Sequence, residues 1–364
     1  MTTAGTARTR TARREGRRGE RRGERGSEPV RIADVASAAG VSTATVSRAL
    51  SEPHRVNAQT RDKVLSAVRE LGYTPNAAAR NLRARRSMMA LCVVPTLANP
   101  FFAEVVRGVD AGLSAAGYGM IIGDLDNVPD KGQHLVDLAT AGHIDGAVVL
   151  SGRIPQKDGR SMLESGIPHV AVCAEIPSPE IPSVLVDERR AVRAVVSHLI
   201  ALGHKRFAYL SGPAANYNDR ERWAGFCEAL AASGLPPEAG RRLEGDFSTA
   251  SGAAAARRLL ADRRGETAAV AMSDEMAIGF VKVMHGAGLR VPGDISVTGF
   301  DGIVFADYCE PTLSTIRQPR FELGRRGAEL LVRLLRGEEV PARTVLESEL
   351  LWRDSTAAPR LSPS

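Results

Sequence analysis

Between residues 30 and 74, apolar positions recur at helical spacing in three short stretches, roughly 32–39, 43–50 and 58–71. Gly40, Pro53 and Gly72 punctuate them. Gly40 suits the positive φ of a tight turn, and Ser42 is a good N-cap for the second helix. Val35, Val41, Val46 and Leu50 can close a small core with Val56, Val64, Val68 and Leu71. Thr43, Ala44, Ser47 and Arg48 are then left facing outward. After Pro75 the Ala-rich stretch 76–83 predicts one brief further helix, because proline near a first helical position pre-sets φ. Residues 83–87 read as a linker.

From Met88 the pattern changes to short continuous apolar runs alternating with helical stretches. The runs fall at 89–94, 119–122, 146–150, 169–173, 183–186, 207–210, 268–272, 295–299 and 312–316. Helices begin near Pro100, Asp130, Glu188, Asp219, Ser248, Asp274 and Arg320. This alternation predicts an α/β body with parallel sheets covered on both faces. About nine strands are many for one such sheet, so two lobes dividing near Asp187 fit better. Each lobe should bind ligand outside the carboxyl ends of its strands, and facing lobes would share a cleft. The expected organisation is a disordered basic tail over 1–29 and a small all-α helix-turn-helix domain over 30–74. A brief helix and linker over 75–87, a two-lobed domain over 88–354 and a disordered tail over 355–364 follow. The basic tail is either a solvated or over-extended start or an arm that contacts DNA.

Composition narrows the class. Of 364 residues, 43% are hydrophobic, 25% charged and 4% aromatic, which excludes a disordered chain, a collagen-like chain and a small disulfide scaffold. No window approaches about 18 uncharged apolar residues, so no membrane span is expected. Charge is uneven: residues 1–30 carry 9 Arg against 4 Glu, and residues 31–90 carry 10 basic against 4 acidic side chains. The remaining 274 residues carry 29 positive and 34 negative charges, so a basic end is joined to an acidic body. That asymmetry points to a polyanion-binding module attached to something else. Cys92, Cys173, Cys227 and Cys309 are far apart with no C-x-x-C, which predicts plain buried thiols in a reducing cytoplasm. The amino end has no apolar h-region, so it does not read as a secretory signal.

Two helices meeting at Gly40, with a small third helix, make a helix-turn-helix. Short side chains let the second helix approach base edges, and Arg48 can bond guanine in a bidentate way. Thr43, Ala44, Ser47 and Arg48 are therefore the candidate base contacts, with Arg61, Lys63 and Arg80 on phosphates. Enzyme motifs do not appear: there is no phosphate-binding G-x-x-x-x-G-K-[ST] loop, no G-x-S-x-G elbow and no H-E-x-x-H. No catalytic residue, metal or cofactor is expected. His204 reads as a capping or packing residue where a helix ends.

Residues 31–87 resemble the amino-terminal module of the lactose-repressor/galactose-repressor family of bacterial transcription regulators. The stretch Val41-Ser42-Thr43-Ala44-Thr45-Val46-Ser47-Arg48-Ala49-Leu50 is close to that family's signature. Thr60-Arg61 and Leu71-Gly72-Tyr73-Thr74-Pro75-Asn76 extend the likeness. Arg31 departs from it, standing where the family usually caps its first helix with Thr or Ser. The resemblance implies that 75–87 is a hinge helix and linker, and that the Ala-rich stretch there pairs with its twin and enters the minor groove. Ala79, Leu82 and Arg83 would lie there, with Leu82 as an apolar wedge at the central base step.

The body resembles the family's periplasmic-binding-protein-like core over nearly all of 88–354, which implies that this domain binds the effector and dimerises. The matching pieces include Asn99-Pro100-Phe101-Phe102-Ala103-Glu104, Leu202-Gly203-His204-Lys205-Arg206, Arg222-Trp223-Ala224-Gly225-Phe226 and Ser273-Asp274-Glu275-Met276-Ala277. Gly299-Phe300-Asp301 and Thr315-Ile316-Arg317-Gln318-Pro319 follow in order. By resemblance, Phe101, Phe102, Arg222, Phe247, Ser273 and Asp301 line the effector pocket. Physically, Arg222 offers a planar fork of donors and Asp301 paired acceptors, while the phenylalanines offer ring faces. Phe102 reads equally as core filler, and Arg222 also as a helix salt-bridge partner. Asn216, Asn218, Asp219 and Arg220 form a polar loop that either reads hydroxyls or caps the next helix. Cys173 and Ala174 stand where relatives often place Asp or Arg, and Ser273 where Asn is common, which shortens the polar reach.

The whole pattern implies a sequence-specific, DNA-binding repressor with two partners. One is a near-palindromic double-stranded operator; the other is a small sugar-like or nucleobase-like effector. Acting as a homodimer or higher oligomer, it would respond to that effector as inducer or corepressor. The rival classes are a sugar-binding transport protein and an α/β enzyme without a regulatory role.

Overall fold

The computed structural model describes residues 30–74, 86–126, 131–150, 152–176, 178 and 180–360. The chain divides into two compact units, 1–79 and 80–364. In the first, three α-helices form: α1 (Ile32–Ala39), α2 (Thr43–Ser51) and α3 (Ala58–Leu71). Gly40 takes φ +67° in the turn, and the Val41 N–H closes it onto the Ala36 carbonyl at 3.0 Å. Ser42 Oγ accepts from the Thr45 N–H at 3.1 Å, and Asn57 Oδ1 from the Thr60 N–H at 2.8 Å, so both later helices are side-chain capped. Arg31 has no acceptor to offer α1; instead the Asp34 carboxylate accepts from the Arg31 N–H at 2.7 Å. Val35, Ala36, Val46, Ala49, Val64 and Ala67 make the core, with Val41, Leu50, Val56 and Val68 packed against it. Leu71 is not among them. It is exposed at the end of α3, and Tyr73 packs on the core beyond the Gly72 turn.

The second unit holds two six-stranded sheets. One contains β1 (Met89–Val94), β2 (Gly119–Asp124), β3 (Gly146–Val149), β6 (His169–Val172), β7 (Ser183–Val186) and β13 (Arg343–Leu346). Its order is β13-β7-β6-β3-β1-β2, parallel throughout. The other contains β8 (Phe207–Ser211), β9 (Gly240–Glu244), β10 (Ala268–Ala271), β11 (Ser296–Asp301), β12 (Ser314–Arg317) and β14 (Glu349–Leu351). Its order is β14-β12-β11-β10-β8-β9, with β14 antiparallel to β12. A small hairpin, β4 (Gln156–Lys157) and β5 (Arg160–Ser161), lies outside both sheets.

Helices cover both faces, so a central strand such as β1 is apolar at every position. In β1, Ala90, Cys92 and Val94 join the core under α4 (Pro100–Ala115), while Leu91 and Val93 join the one under α5 (Lys131–Thr140). In β8, Ala208 and Leu210 face the side of α8 (Thr249–Ala261) and α9 (Asp274–Gly286). Phe207 and Tyr209 face α6 (Glu188–Ala201) and α7 (Tyr217–Ala232).

Two readings of the sequence need correction. The chain does enter the second lobe at Asp187, but α10 (Arg320–Leu335) and β13 return to the first, and β14 goes back to the second. The return is locked by close helix packing. A Cβ at Gly108 of α4 would strike the Phe321 carbonyl of α10, one at Gly112 the Ala328 side chain, and one at Gly324 of α10 the Val105 carbonyl. Residues 355–360 are also not a disordered tail. Ser355 is fully buried: its Oγ donates to the Val297 carbonyl at 2.6 Å and accepts from the Ser314 N–H at 2.8 Å. His204 reaches the same segment, its ring lying 2.8 Å from Thr267 Oγ1 and 2.9 Å from the Ala357 carbonyl.

Candidate functional site

In the first unit α2 exposes Thr43, Ala44 and Arg48, while Ser47 is half-buried and its carbonyl accepts from Ser51 Oγ at 2.9 Å. Small residues therefore flank one long cation on a single helical face. Lys63 is exposed on α3, and Arg61 there is half-buried with Asp62 3.9 Å away. Ala79, Arg80, Leu82 and Arg83 lie outside the described residues.

In the second unit a cavity of about 880 Å³ opens between the lobes. Phe101, Phe102, Arg222, Phe247, Ser273 and Asp301 all line it. The elements explain their convergence. Asn99 caps α4, its Oδ1 accepting from the Phe101 N–H at 2.8 Å, and so sets both phenylalanines at the mouth of the first lobe. Their rings meet edge to face at 5.0 Å; Phe101 is buried and Phe102 half-buried. Arg222 comes from α7, Ser273 caps α9, and Asp301 ends β11. Among the described residues, five non-glycine positions take a positive φ, and three of them, Cys173, Phe247 and Asp301, line this cavity. Strained backbone of this kind gathers where side chains must be aimed.

The polar groups are largely committed to the protein. Arg222, 4% exposed, donates from Nε to Glu188 Oε2 at 2.5 Å and from Nη2 to Glu188 Oε1 at 3.3 Å. Nη1 donates to the Met272 carbonyl, and the guanidinium lies 3.6 Å over the Phe300 ring. Arg222 is thus an ion-pair partner that also lines the cavity. Ser273 spends its hydroxyl on the Phe247 carbonyl at 2.8 Å and the Met276 N–H at 3.1 Å. Asp301 Oδ1 accepts from Gln318 Nε2 at 2.9 Å. Burial pushes the Asp301 carboxyl well above the usual carboxylate range; Arg222 opposes this, and Asp274 and Glu188 add to it. Asp274, buried at the first position of α9, is raised to about 7 by burial, although Thr315 Oγ1 and the Ile303 N–H donate to it.

The polar loop divides by role. Asn216 caps α7, accepting from the Asp219 N–H at 3.1 Å, and Asp219 is a buried strut that accepts from the Gly212 N–H at 2.7 Å. Asn218 lines the cavity, its Nδ2 donating to the Cys173 carbonyl at 2.7 Å, and Arg220 is exposed over the Tyr217 ring. Trp223 packs away from the cavity, stacked on Phe226 at 5.3 Å. Cys92 and Cys173 are buried, but Cys227 and Cys309 only half so, and all four are free thiols. Gln318 and Glu188 were visible in the sequence only as part of a matching segment and as a helix start. Their roles depend on the second lobe folding around Arg222. Among the described residues no group of three His, Cys, Asp or Glu side chains is placed to hold a metal ion, and no helix is long and apolar enough to cross a membrane.

Comparison with known proteins gives two family matches. Residues 31–76 match "Bacterial regulatory proteins, lacI family", and residues 196–356 match "Periplasmic binding protein-like domain". The HTH-type transcriptional repressor CytR of Escherichia coli K12 is 36% identical over 327 residues, covering 89% of this chain and 96% of the relative. Among solved structures, the transcriptional regulator CelR–cellobiose complex is similar with TM-score 0.69 and 33% identity, covering 90% of this chain and all of the other. The lac repressor dimer bound to operator and the anti-inducer ONPF superposes with TM-score 0.78 and 29% identity, covering 91% and 100%.

Proposed function

The chain belongs to the lacI family of bacterial regulatory proteins, and from that premise we propose a transcription repressor that binds a near-palindromic operator as a homodimer under control of a small-molecule effector. What supports this most is that one chain holds both the exposed Thr43, Ala44 and Arg48 face and a roomy cavity lined by six convergent side chains. Neither an enzyme nor a transport protein has a use for the first unit. In this reading Thr43, Ala44, Ser47 and Arg48 face bases, and Arg61, Lys63 and Arg80 hold phosphates. Ala79, Leu82 and Arg83 enter the minor groove, where a Leu82 wedge costs a few kcal/mol of unstacking, offset by contacts with the bent duplex. Phe101, Phe102, Phe247, Arg222, Ser273 and Asp301 surround the effector. Val304, Phe305 and Tyr308 expose apolar surface around one short turn, Tyr308 to 82%, which suits burial against a second copy. The protein works in the cytoplasm, without catalysis. Effector binding shifts operator affinity through its preference for one of two lobe arrangements, typically worth about 1–3 kcal/mol.

The test is fluorescence anisotropy of the full chain on duplexes selected from a randomised library, followed by titration of sugars and nucleosides. Salt-sensitive, site-selective binding that one compound class shifts is the expected result. Binding without sequence preference would remove the regulator, and an operator affinity that no compound moves would remove the effector.

A further inference from the structure

Arg222 reaches the cavity with most of its fork turned back into the protein. Glu188, 5% exposed, takes two of its N–H groups and the Met272 carbonyl a third, while Phe300 covers one face. An arginine exposed to such a cavity would otherwise be a bidentate receptor for carboxylate or phosphate. Glu188 stands in that receptor. It sits in the first turn of α6, where the helix dipole favours its negative charge. Asp301 adds a second buried carboxylate beside the same guanidinium. An incoming anion would therefore find this guanidinium's donors already taken, in a desolvated place where charge is poorly screened.

Two residues that line the cavity each carry a buried acceptor without a partner. Gln318 is 3% exposed; its Nε2 is fixed by Asp301, and its Oε1 is buried without a partner. Asn218 is oriented the same way: Nδ2 is held by the Cys173 carbonyl, and Oδ1 is buried and unpartnered. Both residues line the cavity. A buried carbonyl oxygen is satisfied only by a donor, so the missing groups are O–H or N–H.

We propose that Glu188 is a specificity-determining residue of the cleft: by filling the Arg222 fork it excludes phosphorylated and carboxylate ligands. The remaining site takes an uncharged or cationic molecule that donates hydroxyl or amine hydrogens to Gln318 and Asn218. This rests on the cleft being the effector site and narrows the effector to unphosphorylated polyols, nucleosides or amino sugars. The effector then lies upstream of any phosphoryl-transfer step that consumes it, because phosphorylation would end its recognition.

Inorganic phosphate and sulfate are the probes, read on the full chain by thermal shift and calorimetry. The wild type should show no saturable response. Glu188→Gln keeps the shape, loses the charge, and should bind phosphate at least about tenfold more tightly. The double variant Glu188→Gln/Arg222→Met should lose that gain. Wild-type binding of phosphate as tight as the variant's, or no gain in the variant, overturns the proposal. Glu188→Asn replaces Glu188→Gln if the latter does not fold. A sulfate ion bonded to Arg222 in wild-type crystals overturns the proposal without any variant. Operator binding plays no part in this readout, so loss of the regulatory reading and loss of this one are told apart.

Discussion

Ser273 Oγ donates to the carbonyl of Phe247 at 2.8 Å while accepting from the Met276 N–H at 3.1 Å. One hydroxyl thereby caps α9 and anchors a residue held at φ +70°. The Phe247 ring lies so close over Gly212 that a Cβ there would overlap it. In the proposed effector site Ser273 would be a positioning residue, acting on a ligand through Phe247.

Ser273→Ala should cost about 1 kcal/mol of stability through the lost cap, a fall in Tm of roughly 2–4 °C for a unit of this size. It should also weaken effector binding, because Phe247 loses its anchor. Ser273→Thr, which keeps the hydroxyl, should restore both. Differential scanning fluorimetry and calorimetry with the identified effector check this; an affinity loss that threonine fails to rescue would assign the effect to something other than the hydroxyl.

Asp301→Asn tests the other wall. The carboxylate oxygen that now accepts from Gln318 Nε2 belongs to a residue at φ +116°, where asparagine, nearly isosteric with aspartate, meets about the same backbone strain. An amide there can present its own N–H₂ to Gln318, which then turns its Oε1 inward and its donors toward the cavity. The expected outcome is loss of the effector response with bare operator affinity within about twofold, since no base-facing residue is touched. Anisotropy titrations with and without effector separate the two. A parallel loss of operator affinity would mean that Asp301 sustains the fold.

What the sequence made legible follows from where each residue sits. Strands buried on both faces, such as Met89–Val94 and Ala268–Ala271, write themselves as unbroken apolar runs and are found by that rule. Three of the four edge strands of the six-stranded sheets, Gly240–Glu244, Arg343–Leu346 and Glu349–Leu351, carry Arg, Thr and Glu, and the same rule passes over them. Missing β13 also hid the return of the chain to the first lobe. At the site, the six expected residues converge on one cavity, yet Ser273 and Arg222 are bonded mainly to protein. Periodicity places a side chain on a face, but its hydrogen-bond partner comes from strands and helices tens of residues away.

Arg48 is exposed on α2, beside the short side chains of Thr43 and Ala44. Arg48→Ala should therefore relax base preference at one position of each half-site, at roughly 1–3 kcal/mol against the preferred base. Stability should barely change, because the side chain is in solvent. Competition binding with operator variants substituted one base at a time reads this directly. A loss of equal size on every sequence, with a shallower salt dependence, would make Arg48 a phosphate contact instead.

His169 supplies the pH dependence. It opens β6, is 6% exposed, and its Nε2 is buried without a partner. Burial pushes its pKa down from 6.5 to about 4, partly opposed by a hydrogen bond with the Ile167 backbone. Between those two values the unfolded chain binds the proton and the folded chain refuses it, so stability falls as pH drops through the window and is intact above about 6.5. The full loss is about 3 kcal/mol. Carboxylates titrate over part of the same range, so the decisive quantity is the stability difference between wild type and His169→Leu, in which their contributions cancel. Denaturant unfolding at pH 7.5 and 4.5 should show that difference shifting in favour of the leucine variant on acidification. A difference that stays constant would mean that the ring is not forced to remain neutral in the folded protein.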